Sequence, residues 1–203
     1  METLPLSKLI EKSLVEAYSY QEYKNLVSEL LAQNESTAKI QTPILTEYSK
    51  LNERRMKRWD KTLKLSSDQI KKIENYSEEV YWLVISEGWC GDAAHALPVL
   101  NKLAELNDNI DLKIVLQDSH DELMNQFLTN GGKSIPKLII YKPETKTVIG
   151  NWGPRPSTAT KMVEAYKKEY GTITPEFKEE LQRWYNKDKG QTIVKDIIAL
   201  LEK

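Results

Sequence analysis

The pattern of hydrophobic and polar residues divides the chain into a helical beginning, a mixed middle and a helical end. Up to about residue 75, apolar residues recur at helical spacing, as at Tyr23, Leu26, Val27 and Leu30. Val80–Ser86 is instead a nearly continuous apolar run of β-favouring residues, which is typical of a strand buried on both faces. The pattern therefore predicts that a sheet begins near residue 80.

The middle of the chain alternates between strand and helix patterns. The predicted elements after the first strand are a helix over 91–106, a strand over 111–117, a helix from Ser119 to Asn130, strands over 136–141 and 147–151, and a helix over 157–170. A strand, a helix and a second strand imply a parallel βαβ unit, and the last two strands form an antiparallel hairpin. We therefore predict an α/β fold in which a mixed sheet is flanked by helices.

Helical segments at both ends extend this α/β unit. Residues 1–75 are predicted to form a helical N-terminal extension, with Ser66 and Gln69 spaced as a capping box. Thr174 followed by Pro175 is a helix start in the C-terminal part. The predicted organisation is an extension over 1–75, a core over 76–170, and C-terminal helices over 171–203 that pack on the core.

The charge balance and the single cysteine narrow the class of protein. Acidic residues number 30 and basic residues 29, so the basic excess of a nucleic-acid-binding protein is missing. The start of the chain lacks the pattern of a signal peptide, and no apolar run approaches the length of a membrane span. One cysteine excludes an internal disulfide, which fits a reducing compartment. We predict a cytoplasmic protein that binds neither nucleic acid nor membranes.

The residues with most chemical information lie where the first strand meets a helix. Cys90 follows the buried strand and precedes Gly91, at the carboxyl end of the strand, where α/β folds usually place their sites. The unpaired N–H groups and the dipole of that helix favour a thiolate, whereas the charge of Asp92 opposes it. Cys90 is thus either a reactive thiol or an inert small apolar residue.

This segment resembles the thioredoxin superfamily over about residues 80–170. The matching features are Trp89 directly before Cys90, Pro98 two turns into the helix, Pro136 before the next strand, and Gly153 after the last strand. The closest resemblance is to bacterial thioredoxin-family proteins with Trp-Cys-Gly-Asp near the cysteine. The resemblance implies a thioredoxin-like fold and a cis-proline at Pro136.

The resemblance also implies a substrate groove beside the cysteine. Its residues would be Trp89, Gly91, Asp92, Ala93, Ile135, Pro136 and Gly153, with Cys90 as the catalytic residue. Trp152 and Arg155 either line the same groove or pack elsewhere.

One departure from the family governs the predicted chemistry. Thioredoxins carry Cys-x-x-Cys, and Ala93 occupies the second cysteine position here. In a dithiol enzyme the second thiol attacks the mixed disulfide within the same molecule and releases the substrate. A mixed disulfide on Cys90 could therefore be resolved only by an external thiol. We do not expect ordinary disulfide reductase activity.

Three hypotheses follow from the isolated cysteine. The first is monothiol exchange through Cys90 with a small thiol or with a protein that bears a thiol or disulfide. The second is a non-catalytic binding module for a partner protein, in which the helical extensions stabilise the domain or a homodimer. The third is a glutaredoxin-like enzyme, which ranks last because the family's usual residues after the cysteine are missing.

The two histidines do not change this picture. His95 is five residues after Cys90 on the same predicted helix, so it points to a different face and is more consistent with packing than with a catalytic dyad. His120 is expected to be a local cap or a solvent-exposed group. One cysteine and two separated histidines form no metal-site pattern, so we predict no metal and no cofactor.

Overall fold

A computed structural model describes residues 4–203, so residues 1–3 of the predicted extension lie outside the described residues. The strands within this range are β1 (Val80–Ser86), β2 (Ile110–Leu116), β3 (Lys137–Lys142) and β4 (Thr147–Trp152). They form one sheet with the order β2-β1-β3-β4, in which β1 is parallel to β2 and antiparallel to β3. The predicted α/β fold, a mixed sheet flanked by helices with helical segments at both ends, is confirmed.

Helices surround the sheet on the described part of the chain. They are α1 (Leu6–Val15), α2 (Tyr20–Ala32), α3 (Pro43–Thr62), α4 (Ser67–Glu74), α5 (Gly91–Ala104), α6 (Asp121–Asn125), α7 (Ser157–Tyr170), α8 (Pro175–Asp188) and α9 (Gln191–Leu201). Several begin at a side-chain cap: Ser66 and Gln69 form a reciprocal capping box before α4, and the Thr174 hydroxyl accepts from the Phe177 N–H before Pro175. Local sequence therefore determines where these helices start.

The strand β1 lies at the centre of the core. Trp82, Leu83, Val84 and Ile85 are all fully buried, as expected for a strand that is covered on both faces. Helix α5 contributes a further buried set that includes Leu97, Leu100 and Leu103, so the sheet and α5 together fix the position of the loop between them.

Helix α6 is shorter than the sequence pattern predicts. The pattern predicts a helix to Asn130, but after a short 3₁₀ turn over Gln117–Ser119 the α-helix spans only Asp121–Asn125. The chain leaves the helix because Thr129 and Gly132 pair through reciprocal backbone hydrogen bonds of 2.9 and 3.0 Å. The prediction of its length is therefore wrong.

The two C-terminal helices α8 and α9 pack in different ways. Ile193, Val194 and Ile197 of α9 belong to the main core, whereas Phe177, Leu181 and Tyr185 of α8 form a separate small cluster with α7. Helix α8 consequently reaches the Cys90 region largely through polar and aromatic contacts. No helix of residues 4–203 has the length and apolar character needed to cross a membrane.

Candidate functional site

Cys90 occupies the N-cap position of α5, at the end of the loop that follows β1. The Cys90 N–H donates to the Glu87 carbonyl across 3.1 Å, and the Ala94 N–H donates to the Cys90 carbonyl across 3.2 Å. From α3, the Asn52 side-chain amide donates to the Gly88 carbonyl across 3.0 Å. The loop is therefore held from both its own helix and the N-terminal helical segment.

The Cys90 thiol is buried and protonated in this arrangement. Its residue is 7% exposed, and Sγ lies 3.4 Å from the carbonyl oxygen of Ile135, which precedes the cis peptide bond to Pro136. Burial, and next the charge of Asp92, raise the pKa of Cys90 to about 12. The backbone N–H groups of Ala93 and Asp92 oppose this rise but do not overcome it. The helix dipole therefore acts in the expected direction and is outweighed by desolvation.

Asp92 is the centre of a polar cluster next to the thiol. Its carboxylate oxygens accept from the Arg155 guanidinium at 2.7 Å and from the Tyr185 hydroxyl at 2.8 Å. Burial raises the pKa of Asp92, while Arg155 and Tyr185 act in the opposite direction. Because Tyr185 belongs to α8 and Arg155 follows β4, this cluster fastens two distant segments to the start of α5.

His95 is part of the packing between α3, α5 and α8. The Trp59 indole N–H donates to Nδ1 across 2.9 Å, so Nε2 carries the proton and donates to Gln182 Oε1 across 3.1 Å. The ring stacks on Tyr185 with a centroid distance of 4.1 Å. Burial lowers the pKa of His95 to about 3, which keeps the ring neutral. Both ring nitrogens are occupied, so His95 is not paired with Cys90.

Glu87 is a buried acid beneath the loop that sequence reasoning missed. One carboxylate oxygen accepts from the Asp118 N–H across 3.1 Å, and the other is hydrogen-bonded to the Thr37 hydroxyl. The same hydroxyl accepts from the Gly88 N–H across 2.9 Å. Burial raises the pKa of Glu87 to about 7. The sequence signal that could have identified Glu87 is its position as an acidic residue directly after a continuous apolar strand.

A cleft of about 420 Å³ lies over Cys90. Its walls come from α3, from the Cys90 segment, and from α8, and they are mostly apolar; the α3 and α8 residues that line it are Leu45, Tyr48, Leu51, Arg55, Lys178, Leu181, Gln182 and Tyr185. Cys90, Trp89, Gly91 and Asp92 line it as well, together with Arg155. The cleft is thus built jointly by the strand–helix junction and the two helical extensions.

The other sequence-predicted groove residues lie beside or below the cleft. Ala93 is buried within α5, and Ile135 and Pro136 are buried behind the thiol. Gly153 packs against the same segment so closely that a Cβ atom there would lie 2.1 Å from the Pro136 carbonyl oxygen. Trp152 is largely buried and its indole N–H donates to Asp196 across 3.3 Å.

His120, the second histidine of the sequence, does not line the cleft. His120 is 3.0 Å from the Leu116 carbonyl through Nδ1 and 3.5 Å from Glu16 through Nε2. Within residues 4–203, no group of three or more His, Cys, Asp or Glu side chains is arranged to hold a metal ion.

Comparisons with known proteins agree with the thioredoxin-like fold. A family model described as thioredoxin matches residues 20–167. A crystal structure of a protein of unknown function from Pseudomonas aeruginosa is 18% identical, with a TM-score of 0.59, over 91% of this chain and 98% of that chain. The structure of an HIV epitope scaffold is also 18% identical, with a TM-score of 0.57 over the same shares of both chains. No curated protein matches the chain. Both solved structures are similar to this chain in fold.

Proposed function

Because this chain belongs to the thioredoxin family, we propose that it is a thioredoxin-fold binding protein that holds a partner without covalent chemistry in the cleft over Cys90. The observation that carries this proposal is the buried thiol of Cys90, which is hydrogen-bonded to the Ile135 carbonyl. We also assign the chain to the subgroup with a Trp-Cys-Gly-Asp segment and no second cysteine.

The state of the thiol makes disulfide chemistry slow. The thiolate is the nucleophile, and a free cysteine with a pKa near 8.5 is about 3% thiolate at pH 7. Burial and the Asp92 charge raise the pKa of Cys90 to about 12. A pKa of that size leaves roughly one thiolate in 10⁵ molecules at pH 7. The residual attack on a disulfide would be correspondingly slow.

The residue at the second cysteine position supports the same conclusion. Ala93 has no group that could attack a mixed disulfide on Cys90, and the sequence contains no other cysteine. The effective concentration that an internal thiol supplies to a dithiol enzyme is therefore lost. The site nevertheless has a cleft that could hold a partner. Two of its walls come from α3 and α8, which lie outside the thioredoxin-like core over 76–170.

Monothiol exchange is the second candidate, favoured by the position of Cys90 among the residues that line the cleft. In that reaction the Cys90 thiolate would attack a disulfide of the partner, forming a mixed disulfide and releasing one thiolate. The thiolate of an external thiol would then attack the mixed disulfide, release Cys90 and form a new disulfide. The cycle therefore consumes a partner disulfide, which is the oxidant, and a small external thiol, which is the reductant.

Insulin reduction with dithiothreitol and incubation with glutathione disulfide decide between the two candidates. We expect the wild-type protein to reduce insulin no faster than dithiothreitol alone. We also expect its intact mass to stay free of a glutathione adduct at neutral pH. Turnover, or full conversion to the adduct within minutes, would overturn the binding proposal and support monothiol exchange.

The Ala93→Cys variant is the matched control for these assays. It restores the second thiol one turn along α5, where intramolecular attack becomes available. We expect this variant to be inactive as well, because Cys90 stays buried; activity only in this variant would show that the site lacks just the resolving thiol and would contradict a suppressed Cys90. A Cys90→Ser variant should in turn leave non-covalent binding unchanged.

A further inference from the structure

We propose that the cleft and the exposed face of α3 beside it bind an apolar segment of a partner protein that carries an acidic residue. This inference rests on the proposed function, because it names the kind of partner for the same cleft. It is carried by an apolar stripe and by cations without carboxylate partners, none of which the disulfide chemistry of the family requires.

The apolar stripe consists of Ile40, Ile44, Tyr48 and Leu51. These side chains are 77%, 61%, 41% and 38% exposed, and the last three are spaced by four and three residues, on one face of α3. They are four of the nine large apolar residues of 4–203 with high exposure, and they fall within residues 40–51. Isolated exposed apolar residues are ordinary, whereas a contiguous group indicates an interaction site.

The stripe is continuous with the cleft over Cys90. Tyr48 and Leu51 belong to both the stripe and the cleft wall, next to Leu45 and Trp89. The helical part of the stripe runs along about 10 Å of α3, at 1.5 Å per residue from Ile44 to Leu51. A small molecule that filled the cleft would leave the far end of the stripe in water. A peptide segment that enters the cleft and continues along α3 would cover both.

Two cations at the inner end of this surface favour an acidic residue in the partner. Arg55 extends over the start of α5, with one nitrogen 3.6 Å from the position of a Cβ on Gly91, and donates to Asn52 Oδ1 across 2.8 Å. Neither Arg55 nor Lys178 pairs with a carboxylate of residues 4–203, whereas the Asp92 charge is already neutralised by Arg155. Burial, and next the charge of Arg58, lower the pKa of Arg55, while the charge of Asp92 acts in the opposite direction.

The same charges disfavour a second copy of this chain as the occupant. A symmetric contact between two stripes would bring the same patch of both subunits together, so that both copies of Arg55 and Lys178 would lie in one interface. Like charges brought together within an interface weaken it. An acidic partner segment would instead be attracted, because its carboxylate would lie beside Arg55 and Lys178, which form no ion pair within residues 4–203.

Fluorescence anisotropy with two matched peptides tests this proposal. One labelled peptide of about ten residues contains leucines and glutamates, and the other has lysines in place of the glutamates. We expect the acidic peptide to bind the wild-type protein more tightly by about tenfold. We expect Arg55→Gln to remove that difference, whereas Arg54→Gln, one position along α3 on an exposed residue, should keep it.

The apolar stripe is tested with Tyr48→Ser against a control on another surface. Tyr48→Ser should weaken the binding of the acidic peptide by about tenfold. Ile149 of β4 is equally exposed, and Ile149→Ser should leave the binding unchanged. Circular dichroism confirms that each variant is folded, and both substituted residues lie at the surface.

Three results would overturn the proposal. They are no binding of either peptide, equal binding of both peptides to the wild-type protein, and insensitivity of binding to Arg55→Gln and Tyr48→Ser. Sedimentation that shows a dimer lost in Tyr48→Ser, without peptide binding, would assign the surface to a second copy instead. Insulin turnover by the wild-type protein would refute the binding function itself, so the two failures are distinguishable.

Discussion

The Cys90 thiol donates its hydrogen bond to the carbonyl oxygen of Ile135 across 3.4 Å. A thiolate has no proton to donate, so this contact accompanies the protonated state. The nearby charge of Asp92 disfavours the thiolate further. The surroundings of Cys90 therefore favour the thiol over the thiolate.

Removing the charge of Asp92 should make Cys90 more reactive. In Asp92→Asn the negative charge disappears and Arg155 stays beside the thiol, so we expect the pKa of Cys90 to fall. One pKa unit corresponds to about a tenfold higher thiolate fraction, and we expect iodoacetamide to react at least about tenfold faster at pH 8. Asp111→Asn, at an exposed aspartate of β2, is the control. An unchanged or slower rate in Asp92→Asn would show that Asp92 does not restrain the thiol.

Glu87 should make the stability of the protein decrease as pH rises towards neutral. Burial raises the pKa of Glu87 from 4.5 to about 7, so between these values the folded protein holds a proton that the unfolded chain has released. The free energy of unfolding therefore falls across this window, by about 3 kcal/mol from this group. Glu87→Gln keeps a neutral side chain at every pH and should lack this loss.

Urea unfolding of both proteins between pH 5 and 8 measures the Glu87 contribution. His95, whose pKa is lowered by burial from 6.5 to about 3, acts in the opposite direction, since stability from its neutral ring is lost as pH falls below 6.5. That contribution is common to both proteins and cancels in the difference. Glu164→Gln, at an exposed glutamate of α7, should follow the wild type. Parallel profiles for wild type and Glu87→Gln would contradict the assignment.

Gly153 should tolerate no side chain. Its φ is +112°, and a Cβ atom would lie 2.1 Å from the Pro136 carbonyl oxygen, a backbone atom with little freedom to move. We expect Gly153→Ala to lower the free energy of unfolding by about 3 kcal/mol or more. Gly171 has a φ of +77° with open space around it, so Gly171→Ala should cost only about 1–2 kcal/mol. Equal losses in urea unfolding would mean that the contact with Pro136 is not restrictive.

The Tyr185 hydroxyl should contribute to holding α8 over the site. Tyr185→Phe removes the 2.8 Å hydrogen bond to the nearly buried Asp92 carboxylate, a loss of about 1–3 kcal/mol in the free energy of unfolding. Tyr170→Phe changes an exposed tyrosine of α7 and should cost less than about 0.5 kcal/mol. If both variants unfold at the same urea concentration as the wild type, the hydrogen bond does not stabilise the fold.

The features that sequence could predict are those set by neighbouring residues. Strand β1 follows from its continuous apolar run, α4 from the Ser66 and Gln69 cap, and the placement of Cys90 from the junction between a strand and a helix. The length of α6 was missed because a backbone pairing of Thr129 with Gly132 ends it, and such pairing has no helical period to reveal it.

Local sequence patterns could not predict the electrostatics of the site. The pKa of Cys90 depends mainly on its burial, and the environment of Asp92 depends on Tyr185, 93 positions further along the chain. Arg55 is one of seven basic residues between Lys50 and Lys64, and the fold brings its guanidinium to the start of α5. Tertiary contacts of this kind decide whether the retained cysteine reacts.

The pH dependence of Cys90 alkylation tests the central claim most directly. The chain has one cysteine, so the rate of mass increase with iodoacetamide reports on Cys90 alone, and Cys90→Ser supplies the blank. We predict a rate that is far below that of a free cysteine at neutral pH and that still rises without a plateau at about pH 10. A plateau with an apparent pKa at or below about 8 would show a reactive thiolate and would contradict a binding protein with a suppressed cysteine.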